Sequence, residues 1–338
     1  MSSGADTPSA VVRHETTAFL LLTVGISWPL WIASGVLGRG GTPQVDLHWW
    51  VAQIGVFAPA FAALILASRL DTNIRARAFR TLVAVYLPAA LLGSVIGTRD
   101  SETFPILGAS RALAIVLLGV WLLVWFGRGV HRVTPWPGAP ASRGSVTRWA
   151  LGCVVVPMLA CLLAWMVTTP SVRSAAASIG TARDLTLTSM LQAWFFNLAF
   201  GGSLGEELGW RGFWLPRLLR QRTPLAASLL LGVTWALWHA PIDLTAGFGV
   251  SGPASLLVRL VWTLPIAILF TWVTLRAGGS LLPPLALHTT LNSFSDFAIR
   301  DPERLQGSIA VLFVMSLVTA VLVATVDKRL TTRAAPPP

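Results

Sequence analysis

The stretch GEELGWR (205–211) sets two adjacent carboxylates and an arginine directly after an apolar run. On a helix, Glu207 and Arg211 are four residues apart and share a face, while Glu206 is rotated away by about 100°. The spacing therefore predicts that Glu207 is neutralised by Arg211 as a structural pair. Glu206 is left free, the state in which a carboxylate can act as general base on a water. Two histidines follow. His239 lies one turn after Trp235 in WALWH (235–239), with Pro241 breaking the helix just beyond, and His288 lies one turn before Asn292 in HTTLN (288–292). His288 and Asn292 share a face, so the amide could fix the imidazole or donate to a developing oxyanion beside it. An acid, an amide and two histidines are the materials for hydrolysis by an activated water.

Each residue taken singly has a plainer reading. Glu207 with Arg211 is most economically a helix-end ion pair, and a lone histidine between membrane helices contributes only ~0.6 kcal/mol as an interhelical hydrogen bond. Asp243 and Asp296, close to the motifs, read as loop or helix-end solvation. The plain readings do not explain why these groups gather in one window of about 90 residues, in a chain with only 14 carboxylates and five histidines.

The elements that must position them are membrane helices. Of 338 residues 54% are apolar and 12% charged, the mean hydropathy is +0.69, and an ordinary soluble domain has roughly 25% charged residues. Ten spans are expected, at about 17–37, 49–68, 81–97, 111–127, 149–167, 186–204, 224–240, 255–275, 281–298 and 307–326. Because only helices or closed barrels satisfy the backbone in lipid, the fold class is an all-α polytopic bundle. The first run is too long for a signal-peptide core and is read as a retained helix.

The net charge of +11 lies in short loops beside these runs. It is topology information and not a nucleic-acid footprint. Assigning alternate loops inward puts roughly twice as many cationic residues inside as outside, which predicts both termini in the cytoplasm. The Pro- and Gly-rich stretch 129–145 divides N-terminal transmembrane helices (1–145) from the region that carries the motifs (146–327, motifs within 186–298), and 328–338 is expected to be a disordered tail. Cys153 and Cys161 lack metal or redox spacing and read as packing residues. The segment RGFWLPRLLRQR (211–222) mixes aromatic, leucine and arginine residues as an interfacial segment would. Depth poses a question, because Glu206 would close the sixth span while His239 lies some fifteen residues, ~22 Å, into the seventh. Either the seventh helix starts later or tilts steeply, or the chain near Arg217–Pro224 runs deep.

E-E-x-x-x-R, aromatic-x-x-x-His and His-x-x-x-Asn, in this order on successive apolar spans, resemble the type II CAAX prenyl endopeptidase and bacteriocin-processing (CPBP, Abi) family of intramembrane proteases. The resemblance covers about residues 186–298, and Trp235 stands where that family more usually has phenylalanine. It implies an eight-helix core, a cavity open to the cytoplasm and peptide-bond hydrolysis. Glu206 would act on the water with His239, His288 and Asn292 would stabilise the oxyanion, and Glu207 and Arg211 would hold the helix ends. It leaves open a metal mechanism or a metal-free glutamate mechanism. If a divalent ion such as zinc is held, Glu206, His239 and His288 would be its ligands, with an open position for water.

The function expected is an intramembrane endopeptidase acting on a membrane-associated protein or peptide. Its place would be the bacterial cytoplasmic membrane, its partners that substrate and the lipid bilayer, with no nucleic acid. The alternatives are a non-catalytic scaffold or bacteriocin self-immunity protein of the same fold, and a proton-coupled transporter in which buried Glu and His relay protons.

Overall fold

A computed structural model of the chain describes residues 8–38, 47–70, 136–137, 139–168, 187–199, 201–245, 252–298 and 302–332. Among the described residues the fold is helical throughout, with no strand. The expected spans near 81–97 and 111–127 lie outside these residues.

Helix α1 (Pro8–Gly38) precedes α2 (Leu47–Val56) and α3 (Ala58–Leu70), and then come α4 (Arg143–Val167) and α5 (Leu187–Ala199). The motif region is α6 (Ser203–Gly209), a π-helical turn (Trp210–Trp214), α7 (Leu215–Leu219) and α8 (Pro224–Trp238). After it come α9 (Ala240–Thr245), α10 (Pro253–Arg276), α11 (Leu282–Ala298), α12 (Pro302–Val326) and a 3-10 turn (Lys328–Leu330). Four segments, His14–Gly35, Arg143–Val167, Pro253–Arg276 and Gly307–Val326, are long and apolar enough to cross a membrane. Their outward faces are apolar, with Leu151, Val156 and Leu159 on α4 and Val318, Val321 and Leu322 on α12 exposed, as lipid-facing residues must be.

Local chemistry sets the breaks. The second expected span is two helices, because Pro59 has no N–H to continue the ladder and the chain kinks at Phe57. Thr223 caps α8, its hydroxyl accepting from Ala226 N–H at 3.4 Å, with Pro224 in the first turn. Ser142 caps α4 in the same way through Ser145 N–H at 3.2 Å.

The sixth expected span is corrected. It does not run unbroken through 204, since α5 ends at Ala199, Gly201 N–H closes it onto Phe196 C=O at 3.2 Å, and Gly202 turns the chain at φ 95° before α6 begins. The interfacial reading of 211–222 is corrected for 211–219, while Arg220 and Arg222 are exposed. From Ser203 to Leu219 every residue is buried, so this is core and not an interfacial strip. Phe19 of α1 stacks on Phe213 and meets Trp210 edge-on, at centroid distances of 5.2 and 5.5 Å. Arg217 is satisfied internally by Glu15 of α1 at 2.6 Å and Phe213 C=O at 2.8 Å. Gly205 and Gly209 make this approach possible, because a Cβ on Gly209 would stand 2.5 Å from the Pro59 carbonyl carbon of α3. The π turn ends two residues before Pro216, and its wider hydrogen bond runs from Leu215 N–H to Trp210 C=O.

The depth question is answered by the resulting hairpin. Glu206 and His239 both lie about fifteen residues, ~22 Å of helix, from the turn that joins α7 to α8 at Arg220–Thr223. The descending arm of buried chain and the returning α8 therefore bring both residues to one level. α1 runs alongside, tied near the turn by Glu15 and at the far end by Trp28, whose Nε1–H donates to Trp238 C=O at 3.0 Å.

Candidate active site

Glu206 sits one turn into α6 and is buried. Its Oε2 accepts the indole N–H of Trp235, on α8, at 2.5 Å. Its Oε1 faces Gly202, where a Cβ would stand 2.9 Å away. The two glutamates are separated as helical phase predicts, and they point to different partners.

Glu207 is wholly buried and its Oε1 accepts from Arg211 Nη1 and from His288 Nδ1, each at 2.9 Å. An ionised carboxylate only accepts, which assigns the His288 proton to Nδ1 and leaves Nε2 facing away from the pair. Arg211 lies between two rings, its Cζ 4.6 Å from the Trp235 centroid and 4.4 Å from that of Phe270 on α10. The rings cover the guanidinium faces with their negative π surfaces, an electrostatic partner that needs no water. Its Nε and Nη2 make no hydrogen bond among the described residues.

His239 is the residue on which α8 ends. Its Nδ1 donates to Trp235 C=O at 2.9 Å, a carbonyl that can only accept, so its Nε2 is also left without a proton in the neutral ring. Trp31 of α1 stacks on the imidazole at 5.9 Å and Trp238 meets it edge-on at 4.6 Å. Trp235 joins the two histidines, with its ring 5.5 Å from that of His288 and 6.3 Å from that of His239. Glu206, His239 and His288, from three separate helices, thus surround one indole.

Asn292 is set differently from one expectation. Its Nδ2 donates to Gly201 C=O at 2.9 Å, across to the break between α5 and α6, while the imidazole of His288 is fixed by Glu207. Two further bonds lace α11 to α5, from Trp194 Nε1 to Thr290 Oγ1 at 3.1 Å and from Asn197 Nδ2 to Ser293 Oγ at 3.3 Å.

Sequence reasoning missed three features. Trp235 was legible as an aromatic residue at the right place, but its N–H bond to Glu206 was not. Asp243 is not solvated. It is wholly buried and makes a two-pronged ion pair with Arg259 of α10, one prong at 2.7 Å from Arg259 Nη2. No spacing rule links residues 16 apart on two separate helices. The aromatic wall from α1 (Trp28 and Trp31) had no local signal either. The side chain of Asp296 lies outside the described residues.

The donor set does not fit a zinc site in this arrangement. Among the described residues no three of His, Cys, Asp and Glu come together as a metal-holding group. Glu206 Oε2 accepts from Trp235 and both Nδ1 atoms are hydrogen-bonded, which leaves Glu206 Oε1 and the two Nε2 atoms open; no step below runs through a metal.

Residues 188–294 match the sequence profile of a family described as type II CAAX prenyl endopeptidase, Rce1-like. A curated relative, CAAX prenyl protease 2 of Methanococcus maripaludis, is 30% identical over 95 residues, 26% of this chain and 34% of that protein. The chain thus spans about a third of the length of the curated relative it matches. The matched segment contains Glu206, Glu207, Arg211, Trp235, His239, His288 and Asn292. Over this segment the chain is similar to the type II CAAX prenyl endopeptidases, as its motifs suggest.

Proposed function

We propose that the protein is an intramembrane endopeptidase of the bacterial cytoplasmic membrane, with both termini in the cytoplasm, that hydrolyses a peptide bond of a membrane-associated protein or peptide. The observation that carries this reading is the gathering of Glu206, His239 and His288 around Trp235, inside a core where an ionisable group without a partner or a task is costly. Glu206 takes the proton of the attacking water through Oε1, the oxygen that no described residue occupies. His239, held through Nδ1, offers Nε2 as a second acceptor near the same indole. His288 is anchored by Glu207 and, when protonated, presents Nε2–H to the oxyanion, with Asn292 beside it on α11.

The test compares the membrane proteomes of wild-type and Glu206→Ala cells. A protein terminus present only in the wild type, and restored by wild-type but not by Glu206→Ala protein, is the expected result. Identical termini in both strains, with the mutant complementing a deletion phenotype, would identify a non-catalytic binding protein instead.

A further inference from the structure

A carboxylate that activates water must present one oxygen in one direction, and among the described residues Glu206 makes no ion pair to aim it. Two neutral features do so. The indole N–H of Trp235 takes Oε2, and Gly202, at φ 95°, lets the backbone pack against Oε1 where a Cβ would stand only 2.9 Å from it. We propose that Trp235 and Gly202 are the positioning residues of the general base, Trp235 fixing Oε2 by hydrogen bond and Gly202, lacking a Cβ, leaving Oε1 uncrowded on its backbone side. The proposal rests on the reading of Glu206 as base.

The indole is itself held rigidly. Its face is covered by the Arg211 guanidinium, its ring is 5.7 Å from Phe270, and its own carbonyl anchors His239. One side chain therefore aims the carboxylate while its backbone aims the imidazole. A phenylalanine would keep the ring contacts and lose the bond to Glu206, which separates a positioning role from packing. At Gly202, a methyl group would meet Oε1 at 2.9 Å and also Val56 Cγ1 at 2.7 Å, so alanine there both crowds the oxygen and strains the backbone.

The experiment uses the full chain reconstituted in vesicles, with dicyclohexylcarbodiimide as the probe of the Glu206 carboxyl and infrared difference spectra for its hydrogen bonding. The Glu206 carboxylate stretch is isolated by subtracting the Glu206→Gln spectrum, in the wild-type and in the Trp235→Phe background. The expected result is a displaced band in Trp235→Phe, with labelling of Glu206 changed by about fivefold, the worth of one hydrogen bond, while the melting temperature stays near that of the wild type. Trp235→Leu should change the band in the same sense, because it lacks the same donor. Gly202→Ala should slow labelling. A Trp235→Phe spectrum identical to the wild type, with only Trp235→Leu altered, would overturn the proposal and reduce Trp235 to packing. Both measurements read the carboxyl without turnover. Failure of the base assignment shows separately, as a Glu206→Gln protein that still produces the processed terminus.

Discussion

Glu207 and His288, 81 residues apart, share a 2.9 Å hydrogen bond at the centre of the bundle. The same Glu207 oxygen holds Arg211, so a chain Arg211–Glu207–His288 joins α6, its π turn and α11. Glu207 was expected only to neutralise an arginine. Its position makes it the group that fixes the tautomer and ring plane of a candidate catalytic histidine.

Replacing Glu207 by Gln should therefore cost stability as well as activity. The change leaves the Arg211 charge buried without its counter-ion, for which about 3 kcal/mol is expected. Glu206→Gln should stay within about 1 kcal/mol of the wild type, because the new amide oxygen still accepts from Trp235. Thermal unfolding in detergent distinguishes the two, and equal losses would contradict the assignment of roles.

The contact of α6 with α3 depends on Gly209. A methyl group there would collide with Pro59 backbone, so Gly209→Ala should destabilise by about 1–3 kcal/mol. Gly144→Ala, where nothing lies within 4 Å, should change stability by no more than about 0.5 kcal/mol. Unfolding curves of the two variants check this pair.

Asp243 and Arg259 tie the chain just beyond His239 to α10. Asp243→Asn should lower processing by roughly tenfold or more through displacement of His239, a group whose alignment catalysis depends on. Part of the loss should return in the reciprocal swap Asp243→Arg with Arg259→Asp. Accumulation of the processed terminus in cells is the measurement, and no recovery in the swap would show that the pair acts other than by mutual attraction.

Beyond the end of α12, Asp327 accepts from Trp272 Nε1 at 2.9 Å, Arg276 Nε at 2.7 Å and Arg329 N–H at 3.2 Å. Burial pushes its carboxyl upward, but these donors and the Arg276 charge outweigh burial and hold it below its ordinary value. A lowered folded value means that the stabilisation is present above the unfolded value of about 4 and is lost as pH falls through the folded one. Asp327→Asn should melt earlier at neutral pH and decline less steeply on acidification than the wild type, as unfolding followed from neutral to acidic pH will show.

Orientation has a direct check. Arg220 is exposed at the α7–α8 turn, whereas Cys153 and Cys161 are buried. Arg220→Cys should react with a membrane-impermeant maleimide in inverted vesicles and not in intact cells. Labelling in intact cells would reverse the assigned topology.

Several parts of this architecture were legible from residues alone. The apolar run placed the start of α8 at 224, Pro241 marked its end, and the apolar runs gave helices α4, α8, α10, α11 and α12 to within about six residues. The four-residue spacing of Glu207 and Arg211 gave their pair. Proline, capping and helical phase act within one turn, so a one-dimensional reading suffices for them. The sixth span misled because its apolar run passes without change through Gly201 and Gly202, and only the φ of 95° at Gly202 shows the break. The buried reading of 211–219 was equally hidden, since arginines beside aromatics look interfacial until Glu15 and the Phe213 carbonyl are found on Arg217.

By itself the sequence determined that the chain is a helical membrane protein, that its candidate site residues cluster between Glu206 and Asn292, and that the two glutamates differ. These follow from hydrophobic content, from the cost of ionisable groups in lipid, and from the 100° step of a helix. Only the tertiary structure decided that Glu207 belongs to His288, that Trp235 holds Glu206, and that Asp243 is sealed against Arg259. Those are contacts between helices far apart in the chain, and no spacing within one helix encodes them.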